Sequence, residues 1–439
     1  MALKDLLSGT KLIMELNNSS TVRKIIELLL ITLPIALLFS NIVSEIIIFG
    51  LIFIYFINQK SKNFFQYLKD PIIFILILFW LYLILNSLIN FEKDPSFSRS
   101  IFFVRFPLYI ISITFFINNL NISLNKVFKY WLIIIIIICI DLFFQFFTQN
   151  NLFGYEAIRQ GEFYRLGGFM DDELKIANLI FHIGALVFSF FFSKNYFEKK
   201  IISLKSLFFL LFLIITVFIT AERANFVTII SFVVIFIILM AFENKKFFFT
   251  MIILFSVLIS IPMISNDNLS NRMTNSLIEK VALFKIEPNK NYLNKKSHYF
   301  THYSAAYQIF KRNILFGVGL KNFRTYCNDE TLNKEIDPIF HTKKCATHPH
   351  NFYFEILSEI GLIGFVLLLF FFVFLFFKVV KNFIITKNYF LILNSFIILV
   401  YFIPFMPRGS FFTNWNAIIF WTVVAFLNAN LAVLRKPND

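Results

Sequence analysis

Charge is scarce in this 439-residue chain: 15% of its residues are charged, against 58% that are hydrophobic. A soluble domain carries about a quarter charged residues, so that class is excluded. Nothing at the N-terminus reads as a cleavable leader, with a charged start, a short apolar segment and a small-residue cleavage site. The first helix is therefore expected to be an uncleaved anchor. No internal repeat is visible, which weighs against transporters built from two related halves. What is abundant is phenylalanine, 65 residues, and the mean hydropathy is +0.74. Those values describe an integral membrane protein, all-α because lipid leaves an isolated strand's backbone groups without partners.

Runs of about 20 apolar residues cross a bilayer core as helices. We place about twelve transmembrane helices, at 25–40, 42–58, 71–90, 100–118, 127–148, 174–193, 206–220, 224–242, 247–265, 351–377, 388–404 and 412–433. With both termini cytoplasmic, the lysines at 60, 62, 69, 126, 129, 194, 199, 200, 205, 245, 246, 378, 381 and 387 all fall on the inner side. Three regions follow: a nine-helix region at 1–265 with a short periplasmic loop at 149–173, a large periplasmic loop at 266–350, and a three-helix region at 351–439. The formal net charge of +15 would suggest nucleic acid for a soluble protein. Here it is mostly topology, and no nucleic-acid partner is expected.

The two basic residue types are unevenly distributed. By this topology the inner side holds 18 Lys and 2 Arg, and the outer side 12 Lys and 9 Arg. A guanidinium forks onto phosphate or carboxylate where an ammonium cannot, so the bias suggests anion recognition on the outer face. Topology alone, which accepts any cation, is the plainer alternative. Arg223, in Thr220-Ala-Glu-Arg-Ala-Asn, stands at the outer start of a helix, where an arginine also serves as an interface anchor. Arg165 precedes a turn at Gly167-Gly168, ahead of Asp171, Asp172 and Glu173, acidic residues that suit a helix N-terminus. Arg105 and Asp141 sit at matched depth in adjacent spans and read either as a functional pair or as a salt bridge.

The large loop holds five of the six histidines and two of the three cysteines. Tyr299, Tyr303, Ala306, Tyr307 and Phe310 recur at helical spacing and suit a helix on the membrane surface. Gly317-Val318-Gly319 is a turn and lacks the preceding strand and following lysine of a phosphate loop. Cys327 and Cys345 are expected to form a disulfide in an oxidising compartment. A metal site built from both cysteines with His348 and His350 is the competing reading, and an ordinary interfacial helix competes with His298 and His302 as ligands.

His348-Pro349-His350-Asn351 opens an apolar helix, with Glu355 and Glu359 further along and Gly361 and Gly364 suited to close helix packing. A histidine there can act as a general base if a neighbour, Asn351 or Glu355, orients its ring. His350-Asn351, nine residues, and Gly361-x-x-Gly364 together resemble the signature of the bacterial O-antigen ligase and O-antigen polymerase superfamily. The segments Gly317–Arg324, Arg165-Leu-Gly-Gly-Phe and Pro407-Arg-Gly-Ser add to the likeness, which covers roughly residues 150 to 425.

The resemblance implies a GT-C-like membrane glycosyltransferase of the bacterial inner membrane, with a periplasmic active site and no metal or cofactor. It would move a glycan from an undecaprenyl-diphosphate carrier to an acceptor hydroxyl, on lipid A core or on a second lipid-linked glycan. Carried over, His350 is the base and Arg223 the first diphosphate arginine, with Arg165, Arg324, His348 and Asn351 as further substrate contacts. Where the family has a second loop arginine this chain reads His298-Tyr-Phe-Thr-His-Tyr-Ser-Ala-Ala-Tyr307, and Arg324, Arg312, Arg272 or His298 are the substitutes. A multi-span transporter or a flippase of lipid-linked glycans is the rival from another class.

Overall fold

The computed structural model describes residues 19–59, 61–90, 96–160, 163–199, 203–242, 298–334, 336, 345–404 and 406–433, and the helical positions 249, 252, 256 and 260. The N-terminal half runs α1 (Ser19–Phe39), α2 (Asn41–Asn58), α3 (Ser61–Leu68), α4 (Pro71–Ile89), α5 (Ser96–Phe102), α6 (Arg105–Asn119) and α7 (Leu124–Thr148). A two-stranded antiparallel hairpin, β1 (Ile158–Gln160) and β2 (Phe163–Arg165), leads to α8 (Ile176–Lys199), α9 (Leu204–Ile219) and α10 (Arg223–Ala241). After them come α11 (His298–Arg312), α12 (Phe323–Tyr326), α13 (Phe352–Thr386), α14 (Tyr389–Leu399) and α15 (Asn414–Val433).

Among the described residues, eight helices are long and apolar enough to cross a membrane. They match the expected spans at 42–58, 71–90, 100–118, 127–148, 174–193, 224–242, 351–377 and 412–433. Leu204–Ile219 and Tyr389–Phe402 are shorter apolar helices, and α1 lies over 25–40. The span at 247–265 and the stretch 266–297 lie outside the described residues, apart from the four isolated positions. Helix starts follow the local chemistry of orphan backbone donors. Ser40 accepts from the Val43 N–H, Asp70 from Ile72 ahead of Pro71, Ser123 from Lys126, and Asn388 from Phe390.

The bundle is layered by burial. Helices α8 and α15 are buried over most of their spans, whereas α2 and α13 are buried over only a third of theirs. The exposed side chains are Ile42, Ile46, Phe49 and Phe53 on α2, and Val366, Leu369, Phe370 and Val373 on α13. Apolar surface of that kind is what lipid favours. Inside the bundle, polar pairs join helices: Trp131 Nε1 donates to Leu30 O at 2.8 Å, Trp415 Nε1 to Leu37 O at 2.8 Å, and Asn428 Nδ2 to Thr114 Oγ1 at 3.1 Å. Each spares a buried polar group from facing hydrocarbon.

Arg105 and Asp141 do not pair. Arg105 Nε lies 3.1 Å from Glu45 Oε2 on α2, and its Nη2 donates to Asn414 Oδ1. Asp141 Oδ1 accepts the Leu152 N–H at 2.9 Å, tying the start of the 149–173 loop to α7. Matched depth does not fix the direction in which a side chain leaves its helix, and the two leave toward different neighbours. The acidic run Asp171–Glu173 precedes α8 without entering its first turn.

Candidate active site

The site is built on a break in α13. Gly361 has φ 66° and ψ −172°, outside the helical region. The break frees backbone groups on both sides, and residues 314–319 of the loop take them up. Val318 N–H donates to Ser358 O at 3.0 Å and Gly319 N–H to Glu359 O at 2.8 Å, while Leu362 and Ile363 N–H donate to Ile314 O and Leu315 O at 2.8 and 3.2 Å. Helix α4 supplies the rest: Tyr82 OH donates to Ile360 O, and Asn86 Nδ2 to Phe316 O, each at 2.5 Å. A Cβ at Gly361 would stand 2.3 Å from Leu315 O, and one at Gly317 2.6 Å from the Glu359 carbonyl carbon. The expected close helix packing is therefore carried by Gly364 alone, against Tyr82; Gly361 breaks the helix and admits the loop.

Beneath this interlock lies a buried charged node. Lys321, on the loop, donates its backbone N–H to Glu359 Oε2 at 2.8 Å. Its Nζ lies 3.6 Å from Glu355 Oε1 and hydrogen-bonds Ser410 Oγ. Glu355 also accepts from Ser410 Oγ and, at 2.8 Å, from the Phe411 N–H. Loop, broken helix and the segment entering α15 are thereby held at one point. Glu355, considered from sequence as the residue orienting His350, is committed to this node instead. Asn351, the other candidate, caps α13 by accepting from the Tyr353 and Phe354 N–H groups, which engages its side chain structurally.

Above the node three histidines meet. The rings of His348 and His350 lie 4.1 Å apart between centroids, and His302 of α11 lies 5.5 Å from His350. Tyr299, one turn back on α11, is also 5.5 Å from His350. The surface stripe expected for α11 instead packs inward in part: Tyr303 stacks on Phe354 at 4.9 Å, and Ala306 is buried, while Tyr307 faces outward. His350 itself has φ 57°, a left-handed kink just before the helix.

The two motif histidines differ in their hydrogen bonds. His348 Nε2 lies 3.2 Å from Arg408 O, and a carbonyl can only accept, so Nε2 carries the proton. Its Nδ1 is 3.0 Å from the Thr347 hydroxyl, which donates to it. Both nitrogens of His348 are thus engaged. The ring nitrogens of His350 have no hydrogen-bond partner among the described residues. Burial, then the charges of Lys321 and other cations, pushes His348 down to about 4. Burial, then the charges of His348 and His302, pushes His350 down to about 4 as well. Both rings are neutral at neutral pH, and only His350 has a lone pair to offer.

The arginines come from separate elements. Arg165 ends β2, opposite Ile158 in the hairpin register, and its Nε is buried without a hydrogen bond. Burial lowers its pKa, Glu222 and Tyr299 raise it, and Arg223 lowers it further. Those groups therefore share one neighbourhood, and Tyr299 connects it to His350. Arg223 opens α10, just after a turn in which Ala221 takes φ 59°. Arg324, on α12, is exposed and close enough to His348 to depress its protonation. Arg312 is tied to Asp329 at 3.4 Å and Thr331 at 2.7 Å on the loop surface; Arg272 and the His298 side chain lie outside the described residues.

One residue entered the sequence reading only within Pro407-Arg-Gly-Ser, with no role of its own. Arg408 is nine-tenths buried; its N–H donates to His350 O at 2.8 Å and its carbonyl accepts from His348. The outer-face arginine bias was the signal that could have drawn attention to it.

Cys327 and Cys345 are joined by a disulfide, which removes both thiols from the metal site considered as an alternative. Among the described residues no group of three His, Cys, Asp or Glu is arranged to hold a metal ion. The bridge closes the loop that carries α12 up to three residues before His348, and in the chain-entropy model a loop of this size is stabilised by about 3 kcal/mol. Alkylation of freshly isolated, unfolded protein should label one thiol, Cys139, without reductant and three with it. Three labelled thiols without reductant would contradict the bridge.

A free imidazole, joined through Tyr299 to the surroundings of Arg165, can combine proton abstraction with stabilisation of a departing anion. Residues 208–369 match a family model described as O-antigen ligase. That stretch runs from α9 into α13 and contains Arg223, Arg324, His348, His350, Gly361 and Gly364, while Arg165 and Arg408 lie outside it. No curated protein matches the chain.

Proposed function

The chain belongs to the O-antigen ligase and polymerase superfamily, and from that premise we propose that it transfers a glycan from an undecaprenyl-diphosphate carrier to an acceptor hydroxyl on the periplasmic face of the inner membrane. The observation that carries the reading is the unengaged ring of His350, packed against Tyr299, which shares its surroundings with Arg165 and Arg223.

In the proposed reaction His350 takes the proton of the acceptor hydroxyl as its oxygen attacks the anomeric carbon. The bond from that carbon to the diphosphate oxygen breaks, and the electron pair leaves with the diphosphate. Arg165 and Arg223 stabilise the charge that collects there, an effect worth most at the transition state in a site shielded from water. Arg324 and His348 flank the acceptor side, and attack opposite the leaving group inverts the anomeric centre.

The test is to replace Arg223 with Ala in cells and analyse their glycolipids. Long carrier-linked chains with bare lipid A core are the result expected of a ligase, and core capped by a single repeat that of a polymerase. Carrier-linked glycan held on the cytoplasmic leaflet would overturn the enzyme reading in favour of a flippase.

The position of His350 also sets a pH dependence. Its lowered pKa keeps the base deprotonated through the neutral range, so kcat/KM should be level from about pH 8 to about pH 5. It should then fall about tenfold per unit below about pH 4. A bound diphosphate favours the imidazolium, so the corresponding limb of kcat should lie at higher pH than that of kcat/KM. A kcat/KM limb at the ordinary histidine value of 6.5 would show that burial does not control this base.

A further inference from the structure

We propose that Arg408 is a positioning residue that sets the distance between the base half and the anion half of the site. The inference rests on the assignment of His350 and Arg223 above. Arg408 lies in the segment between α14 and α15, and its contacts reach three separate pieces of structure. Its backbone holds both motif histidines, donating to His350 O and accepting from His348 Nε2. Its guanidinium reaches away from them: Nη2 donates to Thr228 Oγ1 on α10 at 2.8 Å and to Val400 O at the end of α14 at 2.6 Å. The guanidinium carbon also lies 4.7 Å from the centre of the Tyr401 ring.

Thr228 follows Arg223 by five residues on α10, about 7.5 Å along the helix axis. One side chain therefore ties the helix that begins at Arg223 to the backbone that carries His348 and His350. No other described residue hydrogen-bonds both motif histidines. The arrangement is costly by itself. Arg408 forms no ion pair among the described residues, and its Nε is buried without a hydrogen-bond partner. Burying a cation without a counter-charge costs stability that neutral hydrogen bonds and a ring face offset only in part, and its persistence here fits a geometric role. A flexible ammonium cannot reproduce a planar group lodged between a hydroxyl, a carbonyl and an aromatic face, so lysine should restore the tether only in part.

The test uses the full-length protein in lipid nanodiscs, with Arg408→Met, Arg408→Lys, Thr228→Val and the double variant Arg408→Met/Thr228→Val. The first readout needs no activity: diethyl pyrocarbonate labelling of His348 and His350, followed by peptide mass spectrometry. In the parent protein His350 should react about tenfold faster than His348, whose nitrogens are both engaged. Arg408→Met keeps the main-chain carbonyl but removes the side-chain bonds that hold it against Thr228 and Val400, so that carbonyl should shift from His348 and the two rates should come within about threefold. The second readout is steady-state transfer with carrier-linked glycan extracted from the host cells. A misplacement near 1 Å costs about 100-fold. Accordingly kcat should fall about 10- to 100-fold in Arg408→Met with donor KM within about threefold, and Arg408→Lys should recover to within about tenfold of the parent.

Thr228→Val should lower kcat by less, and the double variant should be no worse than Arg408→Met, because both break one tether. An unchanged histidine labelling ratio in folded Arg408→Met protein would overturn the proposal, as would additive losses in the double variant. Should the parent protein transfer no glycan, the proposed function fails, while the labelling ratio still decides the inference.

Discussion

Replacing His350 with Ala is expected to lower glycan transfer by about 10²- to 10⁴-fold, the usual contribution of a general base. The folded protein should survive the change. The His350 ring makes no hydrogen bond among the described residues, and it is the His350 backbone carbonyl, kept in the variant, that accepts from Arg408. His348→Ala is the comparison. Its ring is a donor to Arg408 O and an acceptor from Thr347, so its removal disturbs placement and should cost about tenfold. Transfer rates of the two purified variants, set beside their melting temperatures, decide the matter. A larger loss in His348→Ala than in His350→Ala would reverse the assignment of the base.

Gly361→Ala is expected to remove most of the folded protein from the membrane. Two costs coincide at this position. A left-handed backbone disfavours any side chain by about 1–2 kcal/mol. The added Cβ would stand 2.3 Å from Leu315 O, and that oxygen is backbone, held by the Ile363 N–H, so it cannot rotate aside. Relief would separate α13 from the loop and release the hydrogen bonds from Val318, Gly319, Leu362 and Ile363. Each buried group left unpaired costs about 1–3 kcal/mol, and a few such losses rival the whole stability of a typical protein. Gly154→Ala is the control: φ is +86° there too, but nothing lies within 4 Å of an added Cβ, so about 1–2 kcal/mol is the full expected cost. Yield of monodisperse detergent-solubilised protein measures both, and a parental yield of Gly361→Ala would contradict the interlock.

Legibility in the sequence varied with the kind of information each feature needs. The helices were readable because a span is a local property: apolar length decides whether a segment tolerates lipid. Cys327 and Cys345 were readable as partners because only one other cysteine, Cys139, exists and it lies within a span. Gly361 was readable as special but not in its use, since a glycine serves equally for close packing and for a break. Only the approach of Leu315 distinguishes the two. Arg105 was given the wrong partner, because position along a helix carries no direction around it.

The motif histidines show the same division. Spacing to Gly361 singled out His350, but the distinction between a free ring and an engaged one came from Arg408, 58 positions further along the chain, and from Thr347. The node of Lys321, Glu355, Glu359 and Ser410 was invisible for the same reason. Its members lie on three segments that meet only after α13 has broken and the loop has docked.

By itself the sequence determined a mostly helical membrane protein, with the small hairpin of β1 and β2 unforeseen, and pointed to a polar stretch at His348–Asn351 and to arginines gathered in the loops, because hydropathy and residue type act within a few turns of chain. Only the tertiary structure decided that α13 opens at Gly361 to take in the loop, that Glu355 serves a buried ion pair, and that Arg408 joins the histidines to the helix of Arg223. Each of those depends on backbone and side-chain groups that pair across segments far apart in the chain, and such pairing is settled by which buried polar groups would otherwise be left without partners.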